Sequence, residues 1–371
     1  MNIDTNKKLG FGFMRLPVLD NSEIDMDQVK SMVDTFINSG YNYFDVAFGY
    51  MNGRAEDAIK QSVVSRYSRE TFMLADKMPL WEVNKQDDIE KIFNTQLERT
   101  GAGYFDYYLL HSLYESTFEK AVEFKAWNFL MKKKEEGIIK HLGFSFHDTA
   151  ECLERIITTF PECEFVQLQV NYADMDSDVV QARKCLEVAK KYSKPVIVME
   201  PIKGGSLSVL PDNAREILLT TEPDWTVASW ALRFAAEQDG VMMVLSGMSD
   251  LAQLEENIKI AEEFKPLTSK QMQAIDGVLD IILAIPIIEC TGCRYCVKDC
   301  PSNIPIPDII DPLNRYVTYG NLSGPKTSYG FNVAGLGKAS DCIACGSCEA
   351  HCPQHLKIID AMSRSSSLFD D

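Results

Sequence analysis

No run of about 18 consecutive apolar residues occurs in this sequence, so no membrane-spanning helix is expected. The opening residues, MNIDTNKKLG, carry no apolar stretch behind their lysines, which argues against a secretory signal. Positive charge is in deficit: 37 Lys and Arg stand against 54 Asp and Glu, a net charge of −17. Such a chain has no general attraction for phosphate backbones or anionic lipid, so neither nucleic acid nor membrane is expected as a partner. The expectation is a cytoplasmic protein with a small-molecule substrate. Cysteine is sparse before residue 290, where only Cys152, Cys163 and Cys185 occur. These three read as small buried apolar residues. No Gly-x-Gly-x-x-Gly turn follows an early strand, which weighs against an open doubly wound sheet, the competing architecture.

What is present is alternation. Apolar β-type runs at 9–14, 42–47, 71–77, 106–111, 139–145, 164–170, 195–200 and 241–246 are separated by helical patterns. Helices are expected at 26–38, 88–99, 177–192 and 251–263, the last behind a Ser249–Asp250 cap signal. Eight strand–helix units predict an α/β protein, a (β/α)8 TIM barrel, over residues 1–267. A connecting helix follows within 268–289. A small iron–sulfur domain over 290–371 completes the chain. Residues 320–337, rich in Gly, Ser and Asn, read as a loop with little regular structure.

The remaining eight cysteines form two groups of one spacing. They are Cys290, Cys293, Cys296 and Cys300, then Cys342, Cys345, Cys348 and Cys352, each group closed by a proline. Zinc sites more often use paired Cys-x-x-Cys, so zinc is the weaker reading. Both groups resemble the bacterial ferredoxin run, whose fourth cysteine serves the other cluster. That resemblance implies two [4Fe–4S] clusters, one on Cys290, Cys293, Cys296 and Cys352, the other on Cys342, Cys345, Cys348 and Cys300. Gly292 and Gly346 suit a backbone that passes close to sulfur. His351 reads as a surface residue beside a cluster.

A second constellation sits at the ends of three successive strands. Asp45 and Tyr50 follow the second, Lys77 ends the third and His111 the fourth. Singly, each has a structural reading as ion pair or core aromatic; together they point to one barrel mouth, where such folds place their chemistry. With Gly143-Phe144-Ser145, Gln167, Glu200-Pro201-Ile202-Lys203-Gly204-Gly205 and Glu255-Glu256-Asn257, the chain resembles the aldo-keto reductase family over about its first 265 residues. The resemblance implies carbonyl reduction by nicotinamide hydride. Tyr50 would be the general acid, Lys77 held by Asp45 would lower its pKa, and His111 would orient the carbonyl. Ser145, Gln167, Lys203, Gly247, Ser249 and Asn257 would meet the nicotinamide cofactor.

Two departures stand out against that family. Phe146 replaces an Asn that holds the carboxamide, and Met199 stands where a stacking Tyr is common. Residues 246–257 contain no basic residue and three acids, so a 2′-phosphate would lack charged partners. NADH is therefore expected over NADPH. Hydride moves two electrons and a [4Fe–4S] cluster moves one. The clusters would relay electrons from an external ferredoxin, serve structure beside hydride transfer, or couple through a flavin, for which no signature is visible. The alternative class is an electron-transfer or docking subunit with a non-catalytic barrel. Arg15, Trp81 and His147 flank the same strand ends, with pocket and surface roles both open.

Overall fold

The eight apolar runs pair in sequence order. In the computed structural model, which describes residues 7–370, they form a closed barrel. The strands are β1 (Leu9–Gly12), β2 (Tyr43–Asp45), β3 (Met73–Pro79), β4 (Phe105–Leu113), β5 (Ile139–Phe146), β6 (Phe165–Gln169), β7 (Val196–Met199) and β8 (Val241–Gly247). All neighbours are parallel, and β8 closes on β1 with Leu9 opposite Val244 and Gly12 opposite Gly247. The reading of the opening residues as free of a secretory signal rests partly on 1–6, which lie outside the described residues. Among the described residues, no helix is long and apolar enough to cross a membrane.

Strand side chains alternate, so one set fills the interior. Tyr43, Met73, Tyr107, Leu109, Phe165, Ile197 and Met243 form that filling. Glycine is required at two points of close approach. A Cβ on Gly143 would stand 2.4 Å from the Phe165 carbonyl oxygen of β6, and one on Gly10 would stand 2.7 Å from the Leu245 side chain. The covering helices follow their sequence signals. Helix Met26–Asn38 buries Val29, Met32, Val33 and Phe36 at helical spacing, and Asp25 caps it by accepting from the Gln28 N–H. Asp250 caps Leu251–Glu262 in the same way.

One helix starts later than its pattern suggested. The stretch expected at 177–192 is helical only over Ala182–Lys191. Ser177 Oγ accepts from the N–H groups of Val179 and Val180, and Gln181 takes φ 51°. A local serine turn thus displaces the first helical turn.

Two compact units divide the chain. The first runs to Pro201 and includes Ala231–Leu267; the second comprises Ile202–Trp230 and the chain from Thr268 onward. Within the second unit, helix Ser269–Leu283, capped by Thr268, packs on helix Asp212–Thr221. The cysteine segments surround a core of Ile304, Ile306, Ile309, Ile310, Leu313, Ile358 and Met362. Most of that core lies on helices Ile306–Tyr319 and Ile358–Phe369.

Residues 320–337 correct an expectation, because Ser323–Asn332 is helical. Tertiary contacts decide it. Tyr329 is buried, its hydroxyl donating to Asp370 and accepting from the Ala339 N–H. Gly324 lies so near the Gly204 carbonyl oxygen that a Cβ would be 2.5 Å away. Asn332 Nδ2 donates 2.7 Å to the Asp308 carbonyl, the acceptor that Pro312, lacking an N–H, leaves open inside helix Ile306–Tyr319.

Candidate functional site

The four tetrad side chains meet at the C-terminal ends of β2, β3 and β4. Asp45 ends β2. The following turn carries Tyr50 and is held tight by left-handed Met51 and Asn52, with Arg54 Nε donating to the Met51 carbonyl. Lys77 is almost wholly buried, at 1% exposure. Its ammonium donates to Asp45 Oδ1 at 2.6 Å, to the Val46 carbonyl at 2.9 Å and to Tyr50 OH at 3.2 Å. All three donors of the ammonium are thus used. The Tyr50 and His111 rings stand 5.9 Å apart, edge to face. Exposed Trp81 covers the other side of His111 at 4.9 Å. His111 Nδ1 is buried with no partner among the described residues.

The electrostatics favour a protonated phenol beside a neutral imidazole. Burial pushes the Tyr50 phenol above its ordinary value of 10.0, while the Lys77 charge pulls it down. Burial prevails, which corrects the expectation of a lowered tyrosine pKa. Burial opposes the Lys77 charge, but Asp45 and Tyr50 outweigh it and hold the ammonium above its ordinary value. Burial, with the charges of Lys77 and His147, holds His111 well below the usual imidazole range.

Of the expected cofactor residues, Ser145 and Gln167 lie in this mouth, paired in register on β5 and β6. Gln167 Nε2 lies 3.5 Å from Asp45 Oδ2, and Ser145 Oγ accepts from the Ser112 N–H at 2.7 Å. Gly247, Ser249 and Asn257 gather at the β8 exit. Asn257 Nδ2 donates to Ser246 Oγ at 2.9 Å, Ser249 Oγ donates to the Arg15 carbonyl at 3.0 Å, and Gly247 packs on the Arg15 side chain. Lys203 belongs to the second unit, where its carbonyl accepts from Arg315. Phe146 is buried beside Phe144.

Two arrangements were not read from sequence, although His147 and Glu200 were each named there. Beyond Ser145 and Gln167, a chain runs from His147 Nδ1 to Gln169 Oε1 (3.1 Å) and from Gln169 Nε2 to Glu200 Oε2 (3.3 Å). Glu200 takes φ 52°, and its carbonyl accepts from buried Asn171. Period-two spacing from Ser145 to His147 and from Gln167 to Gln169 was the available signal. Behind Lys77 lies a buried network of Glu56, Asp76, Gln96 and Tyr108, for which only the adjacency of Asp76 and Lys77 was visible.

The cysteines of the second unit form two cavities. Cys290, Cys293, Cys296 and Cys352 line one; Cys300, Cys342, Cys345 and Cys348 line the other. Each quartet takes its fourth thiol from the other motif. Among the described residues no three of His, Cys, Asp or Glu gather as ligands of a single ion. A cube of iron and sulfide holds its thiolates farther apart, one to each iron, and the quartets fit that group. Left-handed residues recur at matching places: Gly292, Arg294 and Asn303 in the first motif, Ala344, Gly346 and His355 in the second. Alternating handedness turns successive N–H groups toward one concavity, which suits an anionic cluster. His351 is exposed and pairs with Asp299 at 3.2 Å.

Comparison with known proteins agrees with both halves. Residues 8–280 match the model of the aldo/keto reductase family, and residues 289–356 match a 4Fe-4S dicluster domain. The chain is 24% identical over 302 residues to the uncharacterised oxidoreductase YqkF of Bacillus subtilis (strain 168), covering 73% of this chain and 92% of that protein. It is 26% identical over 258 residues to an aldo-keto reductase of Mycolicibacterium vanbaalenii, covering 69% and 85%. Among solved structures, an aldo-keto reductase from Klebsiella pneumoniae in complex with NADPH superimposes with TM-score 0.59 at 20% identity, over 73% of this chain and 90% of that one. With a closed eight-stranded barrel and a family match over most of its length, the chain belongs to the aldo/keto reductase family and carries a C-terminal 4Fe-4S dicluster domain, which makes it an oxidoreductase.

Proposed function

We propose that the barrel mouth reduces the carbonyl of a small molecule, with Tyr50 as the proton donor. The observation that carries this is the Lys77 ammonium bridging Asp45 and Tyr50. A phenol kept protonated by burial has its proton in place, and Lys77 stabilises the phenolate left after transfer. Neutral His111 donates a hydrogen bond that orients the carbonyl, and Trp81 walls the pocket. Ser145, Gln167, Gly247, Ser249 and Asn257 hold a nicotinamide. With three acids and no base over 246–257, NADH suits this chain better than NADPH. Cys290, Cys293, Cys296 and Cys352 hold one [4Fe–4S] cluster; Cys342, Cys345, Cys348 and Cys300 hold the other. When bound, nicotinamide supplies hydride and the clusters supply single electrons.

A second reading draws support from buried Phe146 and from Met199, which weaken the nicotinamide seat. In it the clusters pass electrons from an external ferredoxin to a substrate in the same mouth. Anaerobic purification with iron and sulfide analysis, followed by NADH, NADPH and flavin titration, separates the two. NADH binding that Gln167→Ala weakens supports the first; two clusters without nicotinamide binding support the second. Turnover that survives Tyr50→Phe with intact clusters would refute both and leave the barrel a docking body.

A further inference from the structure

We infer that Glu56 and Asp76 share a single proton, and that this protonated pair is the positioning device for Lys77. Glu56 lies on the short helix Ala55–Ile59 just after the Tyr50 turn; Asp76 precedes Lys77 in β3. Both are wholly buried. Glu56 Oε2 accepts from Arg99 at 3.0 Å. Asp76 Oδ1 accepts from the Lys77 N–H at 2.7 Å and from Gln96 Nε2 at 2.8 Å. The other two oxygens, Glu56 Oε1 and Asp76 Oδ2, are buried without a donor among the described residues. Their partners Gln96 and Arg99 stand one turn apart on helix Gln86–Thr100, which brings both carboxyl groups to the same buried stretch of that helix.

Two ionised carboxylates offer only acceptors, so contact between them in a dry interior is repulsive. One proton turns that contact into a strong O–H···O bond. The surrounding charges do not remove the need for it. Arg99 is partly exposed and among the described residues forms its ion pair with Glu56, while the Lys77 ammonium is taken by Asp45, the Val46 carbonyl and Tyr50. Tyr108 donates to Gln96 Oε1, so it gives nothing to either acid. Burial raises the affinity of both acids for a proton, in keeping with the geometry.

The pair touches function through the backbone. Asp76 grips the Lys77 N–H, and Gln96, fixed by Asp76, donates 3.0 Å to the Lys77 carbonyl. Both peptide groups of Lys77 are thereby clamped, which aims its ammonium at Tyr50. Loss of the shared proton would set Asp76 against Glu56 and loosen that clamp. The raised pKa values fix the sign: the clamp holds below the folded-state value and fails as pH rises through it. The inference goes beyond carbonyl reduction and needs no particular substrate.

Infrared difference spectroscopy across neutral to alkaline pH tests it on the full chain. The expected result is a carboxylic-acid carbonyl band at neutral pH that vanishes in Glu56→Gln and titrates away in the wild type. The Lys77 amide should exchange slowly in Glu56→Gln, whose side-chain amide donates to Asp76 at every pH. In Glu56→Ala it should exchange at least about tenfold faster. The Tyr50 phenol, read by subtraction of Tyr50→Phe, should titrate in step with the acid band in the wild type and independently of it in Glu56→Gln. A neutral-pH spectrum with no acid band sensitive to residue 56, or a Tyr50 titration indifferent to Glu56→Gln, would overturn the proposal. Should Glu56→Gln not fold, Asp76→Asn asks the same questions from the other side.

Discussion

Lys77 is a buried cation whose neighbours account for its whole hydrogen-bonding capacity. Removing one partner of such a pair leaves the other charged and dry. Lys77→Met should therefore destabilise the fold by about 3–5 kcal/mol, and Asp45→Asn added to it should recover part of the loss. Thermal unfolding of the single and double variants checks this. Glu164 shows the opposite balance. Burial raises its pKa, but His141, Lys134 and the Leu142 N–H outweigh burial and hold the carboxyl at about 2. Its contribution is present above the ordinary value of 4.5 and is lost as pH falls toward about 2. Glu164→Gln should lower the melting temperature at neutral pH, and the gap to wild type should close in that acid window. The tetrad was legible because strand ends plus residue type locate it. The placing of Glu56 and Asp76 together behind Lys77 was not, since it joins a helix to a strand 20 positions away in sequence.

Elements obey their local signals until a tertiary contact offers more. Glycine at 143 is demanded by the β5–β6 approach, so Gly143→Ala should cost about 1–3 kcal/mol through strain and shift the two strands apart. Helix Ile306–Tyr319 tolerates Pro312 because the Asn332 side chain serves the open Asp308 carbonyl. Asn332→Ala leaves that acceptor unsatisfied and should cost about 1–3 kcal/mol, measured by denaturant unfolding. That same asparagine ends helix Ser323–Asn332, a segment whose Gly, Ser and Pro content reads as loop. Composition misled there because buried Tyr329 and its bonds to Asp370 and Ala339 are remote in sequence.

At the scale of the whole molecule, the dicluster domain is a repeat. Cys290 and Cys342 lie 52 positions apart, and every cysteine of the motif repeats at that interval, as do Ile306 and Ile358, where the two long helices begin. The repeats exchange their fourth thiols, so neither cavity is complete within one motif. Cys352→Ser should consequently remove the cluster of the first motif, cutting iron by about half. Its electron paramagnetic resonance spectrum should match that of Cys290→Ser. A match to Cys342→Ser instead would mean that each motif keeps its own four thiols.

The sequence by itself determined the barrel, its eight strands, the order of the tetrad and the two cysteine motifs, because each is written in local period, residue type or short spacing. Only the tertiary structure decided how burial outweighs Lys77 at the Tyr50 phenol, which polar chain extends from His147 to Glu200, and which two buried acids lie behind Lys77. Those outcomes depend on dielectric and on distances between residues far apart in the chain, and no local pattern encodes either quantity.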